Sequence, residues 1–349
     1  MADQRNGGIA WTDETWNPVR GCTRVSAGCM NCYAESMAAR FCGAGQPYEG
    51  TINPETKRWN GNIKLVPEHL QDPLRWKRPR MVFVNSMSDL FHESVPDEFI
   101  DQVFAVMALA KQHTFQVLTK RTERMLDYLR LSAVRDKWVR AGDAFAESME
   151  PQRYANLSHI GDPGNKVSVF TQFPLPNVWL GISVENQEAA DARIPLLLQT
   201  PAAVHWISVE PMLGAVSCTV PFDGNRVDML QREFPGHPRI DWVVCGGESG
   251  PNARPIHPDW ARSLRDQCAE AGVPFLFKQW GEWAPHQARA GGDEGGDLRR
   301  GHVRYLQGDG REPDGHFRKG DAAVARIGKK AAGRLLDGVL HDGYPERIA

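Results

Sequence analysis

Short apolar runs recur along this chain, and each breaks off at its carboxyl end into a cluster of polar residues. The first lies within Ile9–Trp11 through Trp16–Val19 and leads into a cysteine-bearing loop. The second, Met81–Val84, ends in Asn85, Ser86, Met87, Ser88 and Asp89. The third, Thr114–Leu118, ends in Thr119, Lys120 and Arg121. The fourth, Val178–Ile182, ends in Ser183, Val184, Glu185 and Asn186. The fifth, Ala203–Ile207, ends in Ser208, Val209, Glu210 and Pro211. The sixth, Ile240–Val244, ends in Cys245, Gly246, Gly247 and Glu248. The seventh, Val273–Phe277, ends in Lys278 and Gln279. Helical periodicity follows most of them, as over Asp97–Lys111, where Phe99, Val103, Phe104 and Met107 share a face.

Strands that are apolar almost throughout, alternating with helices, belong to parallel sheets covered by those helices. The expected class is therefore α/β: a complete or partial (β/α) barrel of the TIM type, with parallel strands and loop insertions. Such sheets place ligands at the carboxyl ends of their strands, where the polar clusters gather here. The barrel is expected over residues 1–284. A loop-rich insertion falls at about 42–76, and a second insertion, at about 132–176, interrupts the third unit and carries a turn signal at Gly161–Asn165. Residues 285–349 read as a Gly-rich loop or weak hairpin followed by a helical extension over Lys329–Gly338.

A chain of 349 residues with 41% hydrophobic content can bury a full core. Its net charge of −2 exerts no general pull toward nucleic acid or membrane. No apolar run approaches the ~18 residues of a membrane span, and the first residues lack a signal peptide's apolar core, so a cytoplasmic protein without a membrane partner is expected. The seven cysteines are odd in number and do not read as a secreted disulfide framework.

Three of those cysteines, Cys22, Cys29 and Cys32, fall in one loop at spacing Cys-x6-Cys-x2-Cys. Three thiolates brought together need a metal or cluster to offset their repulsion. Zinc is one candidate. It wants four ligands, commonly as paired knuckles, and only Cys29 and Cys32 have knuckle spacing. A fourth ligand would come from Cys42 or a remote histidine. An iron–sulfur cluster held by three thiolates is the other candidate; it leaves one iron open to a small molecule and suits a loop after the first strand of a barrel better. Cys42, Cys218, Cys245 and Cys268 read as buried small hydrophobes.

Read together, these residues resemble the radical S-adenosylmethionine (SAM) superfamily. More closely they resemble phage-associated three-cysteine-motif proteins, which share the run from Trp16-Asn17-Pro18-Val19 through Gly21-Cys22, Cys29 and Cys32-Tyr33-Ala34. The likeness extends over Ser88–Phe91, Leu118–Arg121, Gly181–Glu185, Ile207–Pro211, Gly246–Gly250 and the Lys329–Gly338 tail. It departs from the superfamily in one respect: the usual first gap between cysteines is three residues, and here it is six.

The resemblance implies a 4Fe–4S cluster on Cys22, Cys29 and Cys32, with SAM on the open iron. Reduction then yields a deoxyadenosyl radical that abstracts hydrogen from a substrate, a nucleic acid or nucleotide by association with phage relatives. An electron donor, not identified by the sequence, is required. By strand position, Asn85, Ser86, Ser88 and Asp89 would hold the SAM amino group. Ser183, Glu185 and Asn186 would meet the ribose, and Lys120 and Arg121 the carboxylate. Gly246 and Gly247 would allow close backbone approach, and Glu210, Glu248 and Lys278, with Gln279, would line the substrate side.

Plainer roles compete with each assignment. Asp89, Glu185, Glu210 and Glu248 can cap the helices that follow them. Lys120-Arg121 can be a solvated helix start, Gly246-Gly247 a tight turn, and the tryptophans core packing. The basic segments Arg75–Arg80 and Lys120–Arg124 fit phosphate contact or an exposed polar face equally. The alternative function is a zinc-stabilised, non-catalytic, phage-related binding protein acting with a partner encoded nearby.

Overall fold

The seven apolar runs form seven strands lying side by side in chain order. They are β1 (Glu14–Trp16), β2 (Met81–Val84), β3 (Thr114–Thr119), β4 (Val178–Ser183), β5 (Val204–Val209), β6 (Trp242–Gly246) and β7 (Phe275–Gln279). Every neighbouring pair is parallel, with Trp16 opposite Val84, Val84 opposite Val117 and Ser183 opposite Ser208. The result is a curled half-barrel, a partial (β/α) barrel, with helices on its outer side. The structure is a computed structural model and describes residues 9–147, 172–232, 238–286, 303–311 and 320–346.

The helices of more than one turn among the described residues are α1 (Tyr33–Ala38), α2 (Asp97–Leu109), α3 (Thr122–Leu129), α4 (Val134–Glu147), α5 (Gln187–Gln199) and α6 (Pro258–Glu270). Outward-facing strand residues such as Val82, Val117, Leu180, Ile207 and Val243 join one core with Phe104, Met125, Ile194 and Leu264 from the helices. The alternate residues point into the concave face, where Trp11, Phe83, Trp179, Trp206 and Trp242 pack together. Side chains of a strand alternate between faces, so both cores are written into the same runs. Gly181 makes room for this aromatic plug: a β-carbon there would lie 2.2 Å from the Trp206 ring.

Two expectations about the connecting segments need correction, and a third segment gains definition. The stretch at 132–176 carries secondary structure of its own. It contributes α4, whose Trp138 stacks on Phe104 of α2 at 4.7 Å; the turn at Gly161–Asn165 lies outside the described residues. The segment from residue 285 is not only a loop or weak hairpin: Trp283–Pro285, Val303–Leu306 and Ala322–Arg326 build a three-stranded antiparallel sheet. The helical extension expected over Lys329–Gly338 is a single turn, Lys329–Ala332, followed by a hairpin pairing Leu335–Leu336 with Val339–Leu340. The reason is local. Asp337 and Gly338 both have positive φ, +54° and +80°, and an Asp-Gly pair in that conformation makes a two-residue hairpin turn. The chain then runs along the open edge of β7, where Phe277 donates to His341 at 3.0 Å and Gly343 to Phe275 at 3.0 Å. A bare strand edge is thereby covered.

No helix among the described residues is long and apolar enough to cross a membrane.

Candidate functional site

Strand alternation carries the concave face upward from tryptophan to polar side chains. Phe83 is followed at two residues by Asn85, Trp179 and Gly181 by Ser183, Trp206 by Ser208 and then Glu210, and Leu276 by Lys278. All of these except Trp179, Gly181, Trp206 and Leu276 line a single cavity of about 390 Å3 at the carboxyl ends of the strands. Its floor is apolar, made by Ile9, Trp11, Phe83 and Leu118, and its roof is the cysteine loop. That volume falls in the range of small-molecule and cofactor sites.

The loop begins at Gly21, whose φ of +93° and whose approach to the Asn62 carbonyl (2.2 Å from a would-be β-carbon) exclude any side chain. Gly21 bridges to Ser88, pinning the loop's start beside the end of β2. Cys29 closes a 3-10 turn, Ala27–Cys29, and Cys32 precedes α1. Cys22, Cys29 and Cys32 all border the cavity, and none is in a disulfide. Burial, then the nearby Asp89 carboxylate, pushes the Cys22 thiol up to about 12, against the opposing pull of Arg121. Burial also pushes Cys32 up.

Three acids from the strand ends hold this loop. Glu248 accepts from the Asn31 side chain at 3.0 Å and from Arg254 at 2.9 Å, and Arg254 donates in turn to the Ala27 carbonyl at 3.0 Å. Glu185, 2% exposed, pairs with Arg193 at 2.9 Å and Lys120 at 3.7 Å. Burial opposes its ionisation, but Lys120, the Ser26 hydroxyl and Arg193 outweigh it and hold Glu185 below the usual carboxylate range. Asp89 accepts from Thr119 at 2.7 Å, from the Phe91 and Lys120 amides, and from Arg121 at 3.0 Å. Arg121 passes this anchorage to the loop through Thr23 at 2.6 Å and reaches Cys22 Sγ at 3.9 Å.

The placement of the sequence-derived residues thus divides. Asn85, Ser86, Ser88, Ser183, Glu210, Lys278 and Gly247 reach the cavity. Asp89, Lys120, Arg121 and Glu248 reach it too, with their charges already engaged by protein partners. Glu185, Asn186 and Gly246 stand behind its wall. Asn186 caps α5 by accepting the Ala189 amide at 2.9 Å, and Gly246 leaves room for Glu210, whose Oε1 would lie 2.6 Å from a β-carbon there. Asn85 combines a φ of +58° with a buried side-chain amide nitrogen that has no protein partner. Of the two basic segments, Lys120–Arg124 is tied up with Asp89, Glu93 and Asp97. Arg75–Arg80 precedes β2 and lies at the amino ends of the strands, away from the cavity.

Sequence reasoning missed Glu35, Asn31 and the cavity-lining Lys329. Glu35, 3% exposed, receives Arg24, Arg58 and the Trp59 amide and ties the cysteine loop to the 42–76 segment. Its signal was a carboxylate three residues after Cys32, in the first turn of a helix.

A family model described as "Protein of unknown function (DUF5131)" matches residues 6–345. The chain belongs to this family. Comparison with curated proteins and with solved structures returns no match. The match spans both the half-barrel and the small C-terminal sheet, so the cavity and its cysteine roof both lie within the matched residues.

The donor set itself tests which metal group these residues suit. Among the described residues no group of three or more His, Cys, Asp or Glu side chains is arranged to hold a metal ion. A single zinc with ligands at about 2.3 Å requires its sulfurs almost in contact. A cluster spreads its thiolates over separate irons and asks only that they ring a larger body. Three free thiols bordering one cavity are compatible with the second demand.

Proposed function

We propose that the protein is an iron–sulfur enzyme of the radical SAM type, with a 4Fe–4S cluster on Cys22, Cys29 and Cys32 and SAM in the adjoining cavity. The observation that carries this reading is the convergence of three unpaired cysteines on one cavity at the carboxyl ends of a parallel half-barrel. When bound, the group supplies a one-electron reduction of SAM, from which the hydrogen-abstracting radical comes.

The chain's own residues do the rest. Metal binding displaces protons from thiols, and Cys22 and Cys32 would surrender theirs despite burial, with Arg121 already favouring the thiolate at Cys22. Asp89, Glu185 and Glu248 hold the loop in register from three different strands. The free amide nitrogen of Asn85 and the hydroxyls of Ser86 and Ser183 offer neutral hydrogen bonds to a polar ligand. The tryptophan floor closes the concave face below and keeps water from entering through the half-barrel.

Anaerobic purification with iron and sulfide analysis, followed by an assay for deoxyadenosine release on reduction, tests the proposal. About four irons per chain and SAM-dependent deoxyadenosine are expected from thiolate-held cluster chemistry. A colourless protein carrying one zinc would refute it and favour a metal-stabilised binding protein.

A further inference from the structure

We infer that the β7 side of the cavity is an oxyanion subsite, where the ammonium groups of Lys278 and Lys329 receive a phosphate or carboxylate of the substrate. As a substrate subsite it rests on the enzymatic reading above; as an anion site it does not.

The argument is one of charge matching. Five basic side chains line the cavity: Arg24, Lys120, Arg121, Lys278 and Lys329. The first four each pair with a carboxylate, from Glu35, Glu185, Asp89 and Glu210 respectively. Lys329 has none among the described residues. Its charged neighbours are Lys278, Glu210 and Glu282. Glu210 already binds Lys278 at 3.0 Å, and Glu282 receives the Gly250 amide at 3.1 Å. Glu282 does not line the cavity, so among the lining side chains this end sets two ammoniums, Lys278 and Lys329, against one carboxylate, Glu210.

Lys329 is an exposed residue of the one-turn helix that begins after Gly328, whose φ is +88°. Partial desolvation of the ammonium, then repulsion from Lys278, nevertheless holds it below the usual lysine range. A bound anion would relieve both penalties. Neutral donors line the same cavity. The Gln279 amide donates to Ser249 Oγ at 3.0 Å, which leaves the serine proton free to point into the cavity that both residues line. An ammonium without a carboxylate of its own, with a second ammonium and a hydroxyl lining the same cavity, is what a phosphate or carboxylate demands.

Competitive acylation of lysines with an acetyl ester, read peptide by peptide by mass spectrometry, tests this without turnover. The purified protein is labelled in sodium chloride, inorganic phosphate or acetate at one ionic strength. Labelling of Lys329 is expected to slow several-fold in phosphate or acetate relative to chloride, while the adjacent Lys330 is unaffected. The anion that protects identifies which group the substrate carries. In Lys278→Ala, Glu210 is freed to pair with Lys329, and protection by added anion should disappear. Equal labelling of Lys329 in all three salts would overturn the subsite. Iron analysis of the same sample separates the two claims: iron without protection sinks the subsite alone, and protection without iron sinks only the enzymatic reading.

Discussion

Asn31, in the middle of the cysteine loop, donates its side-chain amide to Glu248 at 3.0 Å across 217 residues of chain. The loop that follows the first strand is thereby fastened to the end of the sixth. Asn31 also donates to the Asn252 carbonyl at 2.8 Å, so one side chain bridges the roof of the cavity to its far wall. Removing a hydrogen bond to a charged carboxylate costs about 1.5–3 kcal/mol. Asn31→Ala should therefore release iron to a chelator faster than the wild type. Identical release rates would show that the bridge does not position the loop.

The three thiols are expected to act as one set. Cys22→Ala, Cys29→Ala and Cys32→Ala should each abolish bound iron, while Cys42→Ala should retain it, because Cys42 bonds back to the Ala39 carbonyl at 3.4 Å and does not line the cavity. Iron content after anaerobic purification is the measurement. Full iron in the Cys29 variant would remove that residue from the ligand set.

Arg121 and Asp89 form a buried pair at 3.0 Å, with side chains only 5% and 8% exposed. Breaking such a pair from one side strands the other charge and costs about 3–5 kcal/mol. Asp89→Ala should fall toward the low end, since Glu93 still reaches Arg121 at 2.9 Å. The double variant Asp89→Ala with Arg121→Met should be more stable than Asp89→Ala alone, by urea denaturation. Simple additivity of the two changes would contradict this account.

Gly181 has no space for a methyl group beneath Trp206. Overpacking of this kind costs about 1–3 kcal/mol. Gly181→Ala should lower the melting temperature, and Trp206→Phe in the same chain should recover part of the loss. A neutral Gly181→Ala would mean the tryptophan plug can shift freely.

Burial lowers the pKa of His92, His113, His205, His257 and His341 from the ordinary 6.5. His113 shows why: its Nδ1 accepts the Arg80 amide at 3.2 Å while its Nε2 donates to the Pro73 carbonyl at 3.0 Å, which requires a neutral ring. The unfolded chain then takes up protons at higher pH than the native one. This part of the stability is complete above pH about 6.5 and is lost as pH falls through the lower native values. Urea midpoints should drop between pH 7.5 and 5.5, and His113→Gln should narrow the difference. An unchanged midpoint over that interval would rule out the neutral native histidines.

The sequence by itself determined the half-barrel. Seven runs with apolar residues on both faces can satisfy water-avoiding side chains only inside a parallel sheet covered on both sides, and their chain order became their spatial order. It also placed the polar residues at the strand ends, and the loop bearing Cys22, Cys29 and Cys32 after the first strand. Tertiary structure alone decided what each strand-end charge is for. Asp89, Glu185, Glu210 and Glu248 look alike in sequence, yet the first, second and fourth engage Arg121, Arg193 and Arg254 and hold the loop, while Glu210 pairs with Lys278 inside the cavity. Lys329 entered the cavity only because the tail turns at Gly328 and folds along β7. Strand pattern follows from local hydrophobic period, but a charge's partner depends on which distant side chains the closed fold brings within about 4 Å of it, and no local pattern encodes that.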